Sequence, residues 1–300
     1  MRILVTGGSG FIGAPLCRSL AAAGHALTVV SRSAPASGSV SAAPMIPWDA
    51  TALREAMGRV DAVVNLAGEP IAARRWTPDQ KARIRQSRVE STRRLVDAIA
   101  ASSRRPSVLV SASAIGFYGN RGHAPLDETS EPGSGFLAET CQAWEAEASR
   151  AEALGVRVAR LRIGLVLAPD GGALAKMLPP FRAGIGGPVG TGRQWVSWIH
   201  RDDVLELIAW ALTDARCAGV VNATAPTPLP MGEFCSELGR ALHRPSWLPV
   251  PGVALRLLLG DMAELLLTGQ RVLPRAALSA GFRFRYPALH EALAACFKGV

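Results

Sequence analysis

Apolar positions in this chain fall into short, mostly aliphatic blocks at residues 3–5, 26–30, 62–66, 108–111, 156–161 and 220–222. Blocks without regular polar alternation are expected of parallel strands covered on both faces. The stretches between them carry the longer helical period and the punctuation of helix ends. Thr77 followed by Pro78 predicts a helix start, with the helix running to about Ala101, and a second helix over residues 136–154 is expected to stop at Gly155. Strand and helix in turn predict an α/β fold with a doubly wound parallel sheet. From Gly164 onward glycine and proline become dense, at Gly171, Gly172, Pro179, Pro180 and residues 184–192, and Pro226, Pro228 and Pro230 follow the last aliphatic block. That change predicts a small C-terminal α+β lobe. Residues 1–225 are expected to form the sheet domain, with residues 165–200 contributing to the lobe, and residues 226–300 to form the rest of it. Residues 33–44, rich in Ala, Ser and Pro, read as a loop, and no internal repeat is visible.

Composition narrows the class. Three hundred residues, 49% hydrophobic and 19% charged, give ample apolar surface for a large core and exclude intrinsic disorder. The five cysteines, Cys17, Cys141, Cys217, Cys235 and Cys296, are scattered and show no ligand spacing, so neither a disulfide framework nor a metal site is expected. The N-terminus runs straight into the first aliphatic block without the pattern of a secretory leader. The most apolar late stretch, residues 255–267, is interrupted by Arg256, Gly260, Asp261 and Glu264, short of the ~20 apolar residues a spanning helix needs. A cytoplasmic protein without membrane contact is the expectation. The net charge of +9 is carried almost wholly by arginine, since Lys81, Lys176 and Lys298 are the lysines. The arginines are dispersed, without a basic run interleaved with aromatics, so nucleic acid is not an expected partner.

The sharpest motif follows the first block. Thr6, Gly7, Gly10, Phe11, Ile12 and Gly13 lie in a glycine-spaced turn between a strand and a helix, where glycines permit a tight turn, close approach of a pyrophosphate and close helix packing. Dinucleotide binding is the expected use. At the end of the second block, where an acidic residue would hold the 2′-hydroxyl of NAD, the chain reads Ser31-Arg32-Ser33. Arg32 is placed to pair with a 2′-phosphate, which favours NADP(H) over NAD(H). The competing reading is a solvated loop arginine.

These residues, with Asn65-Leu66-Ala67-Gly68 and the segment from Ser111-Ala112-Ser113-Ala114 through Tyr118-Gly119, resemble the extended short-chain dehydrogenase/reductase superfamily. Residues 65–70, 87–92, 186–188 and 195–200 are similar to its epimerase-like subgroup of SDR39U1-type proteins, and residues from about 246 to 294 resemble that subgroup's small C-terminal domain of unknown function, DUF1731. The resemblance implies a Rossmann sheet, an NAD(P) site that includes Leu66, Ala67, Gly68 and Ser111, and a substrate held between the sheet domain and the C-terminal lobe. It also implies catalysis by a Ser, a Tyr-x-x-x-Lys pair and an Asn. Here Leu137, Cys141 and Arg88 stand where the Tyr, Lys and Asn belong, and Ser113, with Ser111 as a register alternative, is what survives. Leucine offers no proton to transfer.

Ser113 and Tyr118 are therefore the catalytic candidates, Tyr118 having local packing as its competing role. His200, Lys176 and Glu69 are further polar candidates by loop placement, while Cys141 reads as a small core residue and Trp195 and Trp198 as packing or pocket walls. His200 is expected to precede an aspartate that caps the next helix. Two functions follow: an NADP(H)-dependent, epimerase-like oxidoreductase acting on an unidentified small molecule, or an NADP(H)-binding sensor or scaffold without turnover. A monomer or a homodimer paired through the two long helices is expected.

Overall fold

The computed structural model describes residues 1–32 and 43–298. Most of the expected 33–44 loop lies outside the described residues. Seven strands form one parallel sheet: β1 (Arg2–Thr6), β2 (Ala26–Val30), β3 (Met45–Ile46), β4 (Ala62–Asn65), β5 (Val108–Ala114), β6 (Arg157–Ile163) and β7 (Gly219–Ala223), in the spatial order β7-β6-β5-β4-β1-β2-β3. The chain leaves β1 in one direction to β2 and β3, then returns to build β4 to β7 on the other side. The β1–β4 boundary is thus a topological switch point, where the loops at the strands' carboxyl ends diverge and leave a crevice.

The blocks are continuous because both faces are covered. Ile3, Val5, Leu27, Val29, Val64, Val110 and Leu161 pack on one side with helices α1 (Gly13–Ala22) and α6 (Arg201–Thr213). Leu4, Val30, Val63, Leu109 and Val158 pack on the other with α2 (Ala50–Met57) and α3 (Pro78–Ala100), and α4 (Phe136–Ser149) contributes Ala148 there. Successive residues of one strand therefore serve opposite layers. Thr77 caps α3 as expected, its hydroxyl accepting from the Gln80 amide at 3.2 Å. The second long helix ends at Ser149, short of the expected Leu154. A single 3₁₀ turn, Glu152–Leu154, follows, and Gly155 at φ +78° turns the chain into β6.

The C-terminal lobe shares a core with the segment before β7. Leu167, Leu174, Leu178, Phe181, Val196 and Trp198 pack with Phe234, Cys235, Leu238, Leu289 and Leu293, joining α5 (Gly172–Arg182), α7 (Met231–Ala241) and the last helix, Leu289–Phe297. Small two-stranded pairings stitch the lobe on: Leu165–Leu167 with Trp198–His200, Trp195–Val196 with Leu229–Pro230, and Pro125–Leu126 with Arg271–Val272. A further lock comes from Asp203 at the start of α6, fully buried, which accepts from the amides of Arg285 (2.6 Å) and Tyr286 (3.1 Å).

Candidate functional site

The glycine turn sits at the carboxyl end of β1, above the switch point. Gly7 adopts φ +69°, and a Cβ built there would lie 2.6 Å from the Leu66 carbonyl oxygen. A Cβ on Gly13 would overlap the Gly7 carbonyl, so α1 is drawn directly onto the turn. The Gly10 amide donates to Gly7 O (2.9 Å), closing it. Ile12 is the N-cap of α1 and gives no side-chain cap; the Ala14 amide donates to Gly10 O (2.9 Å) and Pro15 has no N–H, so the Gly13 amide is the first-turn donor left for an acceptor from outside. The Phe11 ring lies against Gly171 and Gly172 at the entry to α5, with the Arg201 guanidinium 5.1 Å from its centroid. No local signal marks Gly171, Gly172 and Arg201 as neighbours of this turn; the contact is long-range and follows from the way α5 folds back.

A buried polar string braces the neighbouring loops. Thr6 Oγ1 donates to Asn65 Oδ1 (2.8 Å) and accepts from the Ala67 amide (3.2 Å). Asn65 Nδ2 donates to Thr92 Oγ1 (2.8 Å) and Ser111 Oγ (3.3 Å), and Trp144 Nε1 donates to the same Thr92 oxygen (2.9 Å). Thr6 and Ser111 therefore hold the turn and the 66–68 loop in register with their hydroxyls, and neither hydroxyl is presented outward. Beyond β2, the Ser31 amide donates to Ile46 O (3.0 Å), while Arg32 is exposed and makes no ion pair among the described residues.

Ser113 and Tyr118 are brought together, but inside the protein. Glu145 of α4 accepts from Ser113 Oγ (2.6 Å) and, through both oxygens, from Arg162 Nε (2.8 Å) and Nη2 (2.9 Å). Arg162 Nη1 donates to Tyr118 OH (2.9 Å), which donates to Asn222 Oδ1 (2.7 Å). The guanidinium lies 3.3 Å from the Phe117 ring centroid. Tyr118 and Asn222 are fully buried, and Ser113, Glu145 and Arg162 nearly so. Burial lifts the Tyr118 phenol above its usual range against the pull of Arg162. Burial opposes the charge on Arg162, yet Glu145 and Tyr118 hold its pKa above the ordinary value. Such a network fixes a structure; its hydroxyls have their partners already.

The positions that the sequence resemblance gives to a Tyr and a Lys carry an apolar side chain and an un-ionised thiol. Leu137 and Cys141 of α4 face Gly116, whose built Cβ would be 3.3 Å from Leu137 Cβ and 3.9 Å from Cys141 Sγ. Burial, then the nearby Glu145, push the Cys141 thiol up to about 11. Arg88 reaches the same place from α3, its guanidinium 5.4 Å from the Trp144 ring centroid and beside Gly68. The Glu69 amide donates to Ser87 Oγ (2.9 Å). Lys176 is exposed and donates to Ala72 O (2.5 Å), tying α5 to the loop before α3.

His200 departs from expectation. It is itself the cap of α6, with Nδ1 accepting from the Asp202 amide (3.2 Å), and Asp203, not a cap, anchors the C-terminal tail. Burial lowers its pKa, and its ring lies 4.2 Å from Tyr286. Trp198 is fully buried in the lobe core, whereas Trp195 is half-buried and donates to His123 Nδ1 (2.9 Å). Among the described residues no group of His, Cys, Asp or Glu has metal-site geometry, and no helix is long and apolar enough to cross a membrane.

A doubly wound sheet with a glycine turn against α1 at its switch point defines a Rossmann-type dinucleotide-binding architecture. The chain belongs to the NAD dependent epimerase/dehydratase family, whose model matches residues 3–223, and residues 250–296 match the domain of unknown function DUF1731. The epimerase family protein SDR39U1 homolog, chloroplastic, of Arabidopsis thaliana is 46% identical over 98% of this chain and 86% of its own length. The epimerase family protein YfhF of Bacillus subtilis is 38% identical over 98% of this chain and 97% of its own. The crystal structure of human epimerase family protein SDR39U1 with NADPH superposes with a TM-score of 0.91 at 36% identity, covering all of both chains.

Proposed function

We propose that the chain binds NADP(H) at the switch point and works as an epimerase-like oxidoreductase on a small molecule. The observation that carries this reading is the turn itself: Gly7 and Gly13 stand where any side chain would collide with backbone, so α1 closes directly onto the turn at the carboxyl end of β1, as a dinucleotide-binding turn requires. Gly7, Gly10, Phe11, Ile12 and Gly13 would hold the pyrophosphate, with Thr6 bracing the turn from beneath, and Leu66, Ala67 and Gly68 would form the wall toward the nicotinamide, with Ser111 bracing it through Asn65. Ser31 and Arg32 would meet the adenosine ribose, Arg32 supplying the cation that a 2′-phosphate requires. NADPH in the human relative's structure supports the same preference. A bound nicotinamide supplies a hydride. Residues 1–225 would carry the dinucleotide and residues 226–300, including the DUF1731-like part at about 246–294, would close the substrate side, with residues 165–200 shared between them. Five buried free thiols favour a reducing compartment, the cytoplasm.

A second reading is favoured by one specific observation. Ser113 and Tyr118 spend their hydroxyls on the Glu145–Arg162 pair, and Leu137 and Cys141 stand where the resemblance puts the Tyr and Lys. On that ground a sensor or scaffold that binds NADP(H) without turnover is the alternative. Calorimetric titration with NADPH, NADP⁺, NADH and NAD⁺ tests the shared step. Selective binding of the phosphorylated pair is expected, and no binding of any of the four by folded protein would end both readings. A screen of carbonyl compounds with NADPH then separates turnover from binding alone.

A further inference from the structure

Arg88 differs from every other arginine at this edge of the sheet. Its guanidinium is half-buried between the Trp144 ring and the 66–68 loop, so close to Gly68 that a Cβ built there would lie 3.2 Å from Cζ. Among the described residues its single hydrogen bond is local, Nη1 to the Ile84 carbonyl of its own helix (3.0 Å), and it makes no ion pair. Arg162, similarly enclosed, has Glu145 and Tyr118; Arg157 has the carbonyls of Ala211, Cys217 and Leu212. Burial lowers the pKa of Arg88, opposed by the charge of the nearby Glu69. A guanidinium stays protonated regardless, so this cation sits partly out of water with most of its donors unspent.

Its surroundings offer it little further: the Glu69 carboxylate acts on it through its charge alone, with no ion pair formed among the described residues. Ser87 Oγ donates to Ile84 O and accepts from the Glu69 amide, and the facing side chains of α4 are Leu137 and the un-ionised Cys141. Gly68 sets no side chain against the guanidinium. A planar, charged fork held against an aromatic ring and open on one side matches a carboxylate, which accepts two parallel N–H bonds. The location is the nicotinamide side of the crevice, so the partner would lie beside the reacting ring.

We propose that Arg88 receives the carboxylate of the small molecule that binds next to the dinucleotide, making the ligand class an organic acid; this rests on the NADP(H) reading. The test is made on NADPH-saturated protein, titrating acetate and benzoate against their neutral isosteres acetamide and benzamide, by calorimetry and by the fluorescence of bound NADPH. At least one acid should bind the wild type about tenfold or more tightly than its amide. Arg88→Gln should abolish that preference while keeping NADPH affinity within about threefold, and Arg88→Lys should retain part of it. Equal binding of acids and amides by the wild type up to about 50 mM overturns the proposal, needs no variant and so does not depend on how the variants fold. A loss of NADPH affinity in Arg88→Gln as large as the loss of acid binding also overturns it, since Arg88 would then serve a cofactor phosphate. Failure of the dinucleotide reading shows separately, as wild-type protein that does not bind NADPH; the same acid and amide titrations on that protein still decide the role of Arg88.

Discussion

Replacing Tyr118 by Phe separates a structural hydroxyl from a catalytic one. The ring is fully buried and packs edge-on against Phe117 at a centroid distance of 5.4 Å, so Phe fills the same space and keeps that contact. What disappears is one oxygen with two partners: it accepts from the charged Arg162 at 2.9 Å and donates to the neutral Asn222 at 2.7 Å. A hydrogen bond to a charged group contributes about 1.5–3 kcal/mol and a neutral one about 1 kcal/mol, and Asn222 Oδ1 would be left buried without its donor. Tyr118→Phe should therefore lose about 2–4 kcal/mol of stability, a fall in Tm of about 3–6 °C for a chain of this size. Urea unfolding followed by fluorescence measures it, with an unchanged slope showing that the unfolded reference is the same. The affinity for NADPH should stay within about twofold, because the hydroxyl faces the Glu145–Arg162 pair and not the glycine turn. A stability loss below about 0.5 kcal/mol would refute this reasoning, most sharply if turnover vanished with it.

Other outcomes follow from the same geometry. Ser113→Ala removes one of three donors to the Glu145 carboxylate and should destabilise by about 1.5–3 kcal/mol, with the Tyr118→Phe, Ser113→Ala double variant non-additive in urea unfolding because both act on one ion pair. Arg32→Ala should weaken NADPH about tenfold or more while hardly touching NADH; equal losses in calorimetry would show that the guanidinium does not meet a 2′-phosphate. Gly13→Ala drives a methyl into the Gly7 carbonyl and should cost about 100-fold or more in NADPH affinity in a protein whose circular dichroism is unchanged. Burial lifts Asp203 to about 6 in the folded protein, against an ordinary value of 3.8. The folded state thus holds this proton more tightly than the unfolded one, and the contribution of Asp203 is full below about pH 4 and is lost as pH rises toward 6. The stability advantage of wild type over Asp203→Asn should shrink across that window; a flat or growing difference would count against the assignment.

The sheet was legible because its strands are covered on both faces. Blocks such as Ile3-Leu4-Val5 and Val108-Leu109-Val110 alternate between two buried layers, so they read as unbroken apolar runs, and six of the seven strands announce themselves in that way. The seventh, Met45–Ile46, is two residues long and exists because the carbonyls and amides at the end of β2 need partners, which no periodicity reveals. The misjudged end of the second long helix has a similar origin. Nothing in residues 150–154 forbids helix, but β6 must begin beside β5, and that tertiary demand tightens the last turn to 3₁₀ before Gly155.

The glycine turn was legible for a different reason: its geometry is local. A turn, an approach and a packing contact each demand glycine at a fixed offset, and the demand is visible at Gly7, Gly10 and Gly13 without knowing the rest of the fold. The polar groups beyond it depend on partners far away in the chain. Tyr118 looked like a proton donor until Asn222, 104 residues on, and Arg162, 44 residues on, closed around it. His200 looked like the residue before a cap until its own ring took the Asp202 amide. Arg88 reads in the sequence as a broken motif position, and only the folded chain shows that its guanidinium makes no ion pair among the described residues and spends one donor on the Ile84 carbonyl. The same reasoning that removes Tyr118 from the crevice places Arg88 in it: a buried polar group whose donors are all spent stabilises the fold, and a partly buried cation whose donors are free has been kept for something the chain itself does not contain.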